Sequence, residues 1–203
     1  MKPDYSPARR HLMKTDPTLG ALIKRIGACG LHRAAARDPF EALTMSIASQ
    51  QLSTKAADTI FGRFCDLFPP DGRPTPPRVM TLTDDQIRGV GFSRPKVSYI
   101  KDLASHVLDG RLDLKALKKY PEDEVMRRLV AVKGIGRWTA EIHLMFRLGR
   151  PDILPSDDLG LLNAVHRAYG KRKRPTPDQL RKMGEAWRPY RSVASWYLWA
   201  SLE

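Results

Sequence analysis

The sequence predicts an all-α protein. Apolar residues recur at three- and four-residue spacing along nearly the whole chain, no stretch shows a persuasive two-residue alternation, and a Gly-x-Gly turn, Gly134-Ile135-Gly136, sits between two helical stretches. With 203 residues and 42% hydrophobic content the chain can bury a good core, in one domain or two small lobes.

Each helix has its own start and stop signals. Asp16-Pro17 opens a helix carrying Leu19, Leu22, Ile23 and Ile26, which ends near Gly27 to Gly30. Asp38-Pro39 opens the next, with Phe40, Leu43, Ile47 and Leu52 spaced along it, and Ser53 caps another that holds Ala56, Ala57, Ile60 and Phe64. Pro69 to Arg78 contains five prolines in ten residues and is predicted to be a loop. Ser93 and Pro95 start a helix with Val97, Ile100, Leu103 and Val107. The last pattern begins near Tyr190 and contains Val193, Trp196, Tyr197 and Trp199.

Around the Gly-x-Gly turn, Val125, Leu129 and Val132 form one apolar stripe and Trp138, Ile142, Met145 and Phe146 another. Ile135 can then pack between the two helices while the turn faces solvent, a helix-hairpin-helix. Glycine accepts positive φ and lets another backbone approach closely, and the amides at a helix start attract an anion such as a DNA phosphate. A glycine cap joining two ordinary helices is the plainer alternative, and the turn alone leaves it open. The same holds for Gly89-Val90-Gly91, where a cap is the more economical reading.

Charge favours the anion reading. The 35 Lys plus Arg against 22 Asp plus Glu give a formal charge of +13, which a polyanionic partner explains and solubility does not. Nucleic acid is preferred to a membrane surface because no segment pairs a basic face with a large apolar one, and no apolar run is long enough to span a bilayer. The start, Met1 to Pro7, lacks the apolar core of a signal peptide, so a cytoplasmic, nucleoid-associated protein is expected. Lys171-Arg172-Lys173-Arg174 is an exposed basic run, read first as a solvated face and second as extra phosphate affinity. The two cysteines, Cys29 and Cys65, are too few for a four-cysteine iron-sulfur cluster and are expected to be buried thiols, and the five histidines lack a zinc spacing.

Six segments in order carry a resemblance. They are Pro39-Phe40-Glu41-Ala42-Leu43 leading to Ser49-Gln50-Gln51-Leu52-Ser53, Gly91-Phe92-Ser93-Arg94-Pro95-Lys96, Lys133-Gly134-Ile135-Gly136-Arg137-Trp138-Thr139-Ala140, Pro155-Ser156-Asp157-Asp158-Leu159-Gly160-Leu161 and Trp187-Arg188-Pro189-Tyr190-Arg191-Ser192. Together they resemble the motifs of the helix-hairpin-helix DNA glycosylase superfamily, in particular its 3-methyladenine DNA glycosylase II (AlkA-type) branch. The resemblance implies a two-lobed helical fold with a cleft, a central lobe at 39–155 that includes the hairpin, and a second lobe of terminal helices at 1–38 plus 156–203. Longer members carry an amino-terminal β domain for which this chain has no room, so a compact form is expected.

The resemblance also implies roles for residues. Asp158 matches the catalytic aspartate, whose carboxylate would stabilise an oxocarbenium-like state or activate water. The plainer alternative is a helix N-cap, a place that Asp157 or Ser156 could fill equally well from sequence. The first helical turn would favour its ionised form beside a polyanion. Bifunctional relatives place a Schiff-base lysine just after the Gly-x-Gly-Arg turn, where this chain has Trp138, so a monofunctional enzyme using water is expected. Trp138 and Trp199 are implied to line the base pocket, with Trp187 and Trp196 assigned to the core and Ile142 standing where some relatives have tyrosine.

By the same resemblance Gln51 is expected at the wedge position that fills the gap left by a flipped base, and Gln50 is expected to make supporting hydrogen bonds; two polar residues satisfying a helix junction is the alternative. Lys133, Gly134, Gly136, Arg137 and Thr139 are implied to bind phosphate, and the carbonyls of Val130, Val132 and Gly134 to hold a monovalent cation, Na or K. No other cofactor is expected. The expected function is hydrolytic excision of alkylated purines of the 3-methyladenine and 7-methylguanine type from double-stranded DNA in base-excision repair, by a monomer. The alternatives are a bifunctional glycosylase/lyase for other damaged bases and a catalytically silent helix-hairpin-helix DNA-binding module.

Overall fold

The computed structural model describes residues 3–32 and 38–202, and within them the secondary structure is helical, with no strand. Among these residues twelve α-helices follow in order: α1 Ser6–Thr15, α2 Pro17–Ile26, α3 Pro39–Ser49, α4 Thr54–Asp66, α5 Pro76–Thr81, α6 Asp84–Gly89, α7 Arg94–Leu108, α8 Glu122–Val130, α9 Arg137–Phe146, α10 Leu159–Ala168, α11 Pro177–Gly184 and α12 Arg191–Ala200. The chain divides into two compact units, Met1–Ala35 with Glu141–Glu203, and Ala36–Ala140. The hand-over therefore falls inside α9, at 140 to 141, where the sequence reading put it at 155. Among the described residues no helix is long and apolar enough to cross a membrane.

In the first unit α2 packs on α1 and α12, and α10 on α12. Leu12, Leu19, Ile23, Leu161, Val165, Trp187 and Leu198 fill the core. Asp16 explains why α2 starts where it does. Its Oδ1 accepts the amides of Thr18 and Leu19, while Oδ2 accepts from Tyr169 Oη and Trp187 Nε1, so one carboxylate caps α2 and ties it to the end of α10.

In the second unit α7 packs on α3, α5 and α6, and α3 on α4. Phe61, Phe64, Phe68 and Phe92 form an aromatic cluster in which Phe64 meets Phe68 and Phe92 edge-on, with centroids 5.0 and 5.2 Å apart, and Phe61 at a tilt. Ile47, Ile100, Leu103 and Leu129 complete the core.

Four expectations are corrected. The helix opened by Asp38 ends at Ser49, so Leu52 lies beyond it in a turn and is 40% exposed. The proline-rich stretch is not loop to its end, because Pro76 and Pro77 occupy the first turn of α5, where a missing amide hydrogen costs nothing. Cys29 is a buried free thiol, its pKa pushed up to about 11 by burial, but Cys65 is only half-buried. Trp196, assigned to the core, is half-exposed, whereas Trp187 is fully buried.

Candidate functional site

Asp158 is the N-cap of α10. Its Oδ1 accepts the Leu161 amide at 2.6 Å, and Trp199 Nε1 on α12 donates to the same oxygen at 2.9 Å. The cap role is thus filled by Asp158 itself. Asp157 is exposed, 3.9 Å from Arg181 Nη1, and Ser156 is buried beneath the Arg181 guanidinium. A β-carbon on Gly160 would lie 3.1 Å from Asp158 Oδ1 and 3.5 Å from Trp199 Nε1, so the bare backbone there lets carboxylate and indole come together.

Beside this pair lies a recess of about 320 Å³ walled by Ile142, Phe146, Trp196, Trp199 and Ala200. The Phe146 and Trp199 rings stack with centroids 6.0 Å apart and planes 28° from parallel. On the sequence, Trp138, Ile142, Met145 and Phe146 read as one apolar stripe. Met145 is buried with Ala140, His143 and Leu144, whereas Trp138 is 44% exposed and Ile142 and Phe146 are half-exposed. Ile142 and Phe146 therefore wall the recess, while Trp138 belongs to the second unit. A recess lined by aromatic faces beside an ionisable carboxylate suits a flat, cationic heterocycle. A larger groove of about 1170 Å³, lined in part by Phe40, Phe61, Cys65 and Leu112, contains none of the expected site residues.

The hairpin belongs to the second unit. Gly134 has φ +79, and a β-carbon there would fall 2.2 Å from the Tyr99 ring, so glycine is required both by the backbone conformation and by the ring beneath it. Gly136 is exposed with open space around its α-carbon, which leaves room for another backbone to approach. Lys133 and Arg137 are exposed beside it. Thr139, by contrast, is only 4% exposed. The Lys133 amide is already committed, donating to Asp102 Oδ2 at 2.8 Å, so its side chain is what it offers a ligand.

Gln50 Nε2 donates to the Gly134 carbonyl at 2.7 Å and so ties the junction after α3 to the hairpin. Gln51 is exposed and, at φ 59, is the single non-glycine residue among those described with a left-handed backbone. Such a conformation costs about 1–2 kcal/mol and persists where the surroundings over-determine it, often at functional positions. Lys96 Nζ donates to the carbonyls of Ala48 and Gln50, each at 2.7 Å, on either side of the end of α3. Burial lowers the Lys96 pKa.

Of the three carbonyls expected to hold a cation, Val132 accepts the Ile135 amide and Gly134 accepts Gln50 Nε2. Each keeps a second lone pair, so the donor set remains chemically suited to a monovalent ion. Among the described residues no cluster of histidine, cysteine and carboxylate side chains could hold a metal. The basic run Lys171 to Arg174 is exposed and forms a shallow recess with Gln179 and Lys182.

Sequence reasoning missed Tyr99, Asp102 and Trp196. The first two lie on α7 among residues that carry no local signature, and Trp196 was assigned to the core because Trp187, Trp196 and Trp199 cannot all line one pocket. Lys96 stood inside a recognised motif with no role attached.

The chain matches the family described as HhH-GPD superfamily base excision DNA repair protein over residues 44–189. It is 34% identical to the alkylbase DNA glycosidase-like protein mag2 of Schizosaccharomyces pombe over 97% of this chain and 93% of that protein. It is 35% identical to DNA-3-methyladenine glycosylase 1 of the same yeast over 95% of this chain and 85% of the other. The solved structure of the Schizosaccharomyces pombe 3-methyladenine DNA glycosylase (Mag1) in complex with abasic DNA superposes with a TM-score of 0.88 at 34% identity, over 97% of this chain and 96% of that one.

Proposed function

Because the chain belongs to the HhH-GPD superfamily of base excision DNA repair proteins, we propose that it is a monofunctional glycosylase hydrolysing the N-glycosidic bond of alkylated purines. The observation that carries this reading is the Asp158 carboxylate at the head of α10, hydrogen-bonded to an indole that also walls an aromatic recess. A purine alkylated at N3 or N7 is cationic, so the π faces of Trp199 and Trp196 attract it more than a neutral purine. Its departure as a neutral base relieves that charge, so it needs little acid catalysis. Asp158 stabilises the positive charge that develops on the sugar and orients the water that traps it.

Trp138 has no amine, so no Schiff base forms at that position and the product is an intact abasic site. Gln51, presented at a left-handed turn, fills the space of the extruded nucleotide, and Gln50 links it to the hairpin. Lys133 and Arg137 supply charge to the backbone phosphates beside the open approach at Gly136, and Thr139 belongs to the same helical turn as Arg137. A monovalent cation on the carbonyls of Val130, Val132 and Gly134 would add positive charge to the same place. The protein acts as a monomer on double-stranded DNA, cytoplasmic and nucleoid-associated.

The test is a single-turnover incubation with methylated duplex DNA, following released bases by chromatography and strand breaks with and without alkali. Methylpurine release with breaks only after alkali is expected, and Asp158→Asn should abolish release while binding persists. Breaks without alkali would mark a lyase. Binding with no release by the wild type would leave a silent DNA-binding module, and release by Asp158→Asn at the wild-type rate would remove Asp158 from the chemistry.

A further inference from the structure

The junction Ser49-Gln50-Gln51-Leu52 is a tight turn closed by the Leu52 amide on the Ser49 carbonyl at 3.1 Å. Gln50 has φ −54 and ψ 129, and Gln51 has φ 59. These angles are those of a type II turn, in which the third residue must be left-handed and is ordinarily glycine or asparagine. The commoner type I turn differs by a flip of the central peptide, here the Gln50 to Gln51 unit, and would return Gln51 to an unstrained conformation. The sequence thus puts a residue of the wrong type into the turn's demanding place, and something must hold the peptide flipped.

The Gln50 carbonyl, one edge of that peptide, is held by Lys96 Nζ at 2.7 Å, and the ammonium is anchored in turn on the Ala48 carbonyl at 2.7 Å. The Gln50 side chain is fixed on the other side by the Gly134 carbonyl. Lys96 is itself set by α7, whose Tyr99 and Asp102, at three-residue intervals from it, meet Gly134 and the Lys133 amide. A flip to type I would turn the Gln50 carbonyl away from the ammonium and leave a partly buried charge short of an acceptor.

We propose that Lys96 is a positioning residue that locks the Gln50 to Gln51 peptide in the type II orientation and thereby aims Gln51. The proposal rests on Gln51 being the wedge. A wedge matters only where a stacked, paired base must be extruded, so its loss should be felt on duplex DNA and not on a strand already open.

The experiment compares single-turnover release of methylpurine from paired duplex and from single-stranded DNA for wild type, Lys96→Met, Lys96→Arg, Gln51→Ala and the Lys96→Met/Gln51→Ala double variant. Methionine keeps the stem's bulk and removes the donor. Lys96→Met is expected to slow duplex release at least tenfold and single-strand release less than twofold. Lys96→Arg should recover most of the duplex rate, and Gln51→Ala should match Lys96→Met with no further loss in the double variant. Should Lys96→Met not fold, Lys96→Gln, whose shorter amide cannot bridge both carbonyls, is read in the same assay. Equal slowing on both substrates, or losses that multiply in the double variant, would overturn the proposal. If Gln51→Ala slows duplex release and removal of the ammonium does not, the wedge stands and the positioning role falls; if Gln51→Ala has no effect, both fall.

Discussion

Trp199 Nε1 and Asp158 Oδ1 are 2.9 Å apart, and that oxygen also accepts the Leu161 amide in the first turn of α10. One carboxylate oxygen therefore couples a pocket wall to a helix terminus. Two donors from different elements meet on that oxygen, and pre-orientation of this kind is what an electrostatic catalyst requires.

Trp199→Phe tests that coupling, since it keeps an aromatic face over the recess and deletes the indole donor. A hydrogen bond to a charged group is worth about 1.5–3 kcal/mol net. Single-turnover base release should accordingly fall about 10- to 100-fold, with DNA affinity little changed because the hairpin is untouched. An unchanged release rate would mean that the carboxylate is held in place without the indole.

Gly134 offers a test that separates two causes of strain. Gly134→Ala places a methyl group into the Tyr99 ring and forces a β-carbon onto φ +79. Overpacking costs about 1–3 kcal/mol and the left-handed backbone about 1–2 kcal/mol more. Urea unfolding of the variant should show most of that sum. Adding Tyr99→Ala removes the clash but not the backbone cost, so Gly134→Ala should cost less in the Tyr99→Ala background than in the wild type. No cost in that background would show the backbone strain to be negligible, and an unchanged cost would show that the ring moves aside freely.

What the residues disclosed in advance was whatever had a local cause. The starts of α2, α3 and α4 were legible because Asp16, Asp38 and Ser53 are capping residues next to proline or an apolar stripe, and each side chain does accept first-turn amides. The glycine turn was legible because φ +79 at Gly134 needs glycine. By contrast α1 buries only Ala8 and Leu12, too few for a periodic signal, and α6 buries only Ile87 despite its Thr83 to Gln86 capping box. At the site, Asp158 and Gln51 were singled out through resemblance, but the contacts that orient them were not. The Trp199, Lys96 and Asp102 bonds span 41, 46 and 31 residues, and long-range partners leave no trace in local spacing. Trp196 and Trp187 carry the same apolar signature, and only packing separates the wall from the core.

His143 gives stability a predictable pH dependence. It is buried on α9, its Nε2 finds no hydrogen-bond partner, and burial, with the Arg147 charge adding to it, draws its pKa from 6.5 down to about 4. Between those values the unfolded chain binds a proton that the folded protein does not, so stability rises with pH across that window and is lost as pH falls from 6.5 to 4. Each tenfold difference in proton affinity between the two states is worth about 1.4 kcal/mol, so the loss approaches about 3 kcal/mol at the acid end. His143→Leu removes the titrating group while keeping an apolar side chain in its place. Urea midpoints measured from about pH 7 to about pH 4 should converge on the acid side, or cross in the variant's favour, with the wild type falling more steeply once the unfolded imidazole begins to protonate. Parallel profiles for the two proteins would mean that His143 takes up its proton in the folded state as readily as in the unfolded one, and that the imidazole is solvated rather than buried.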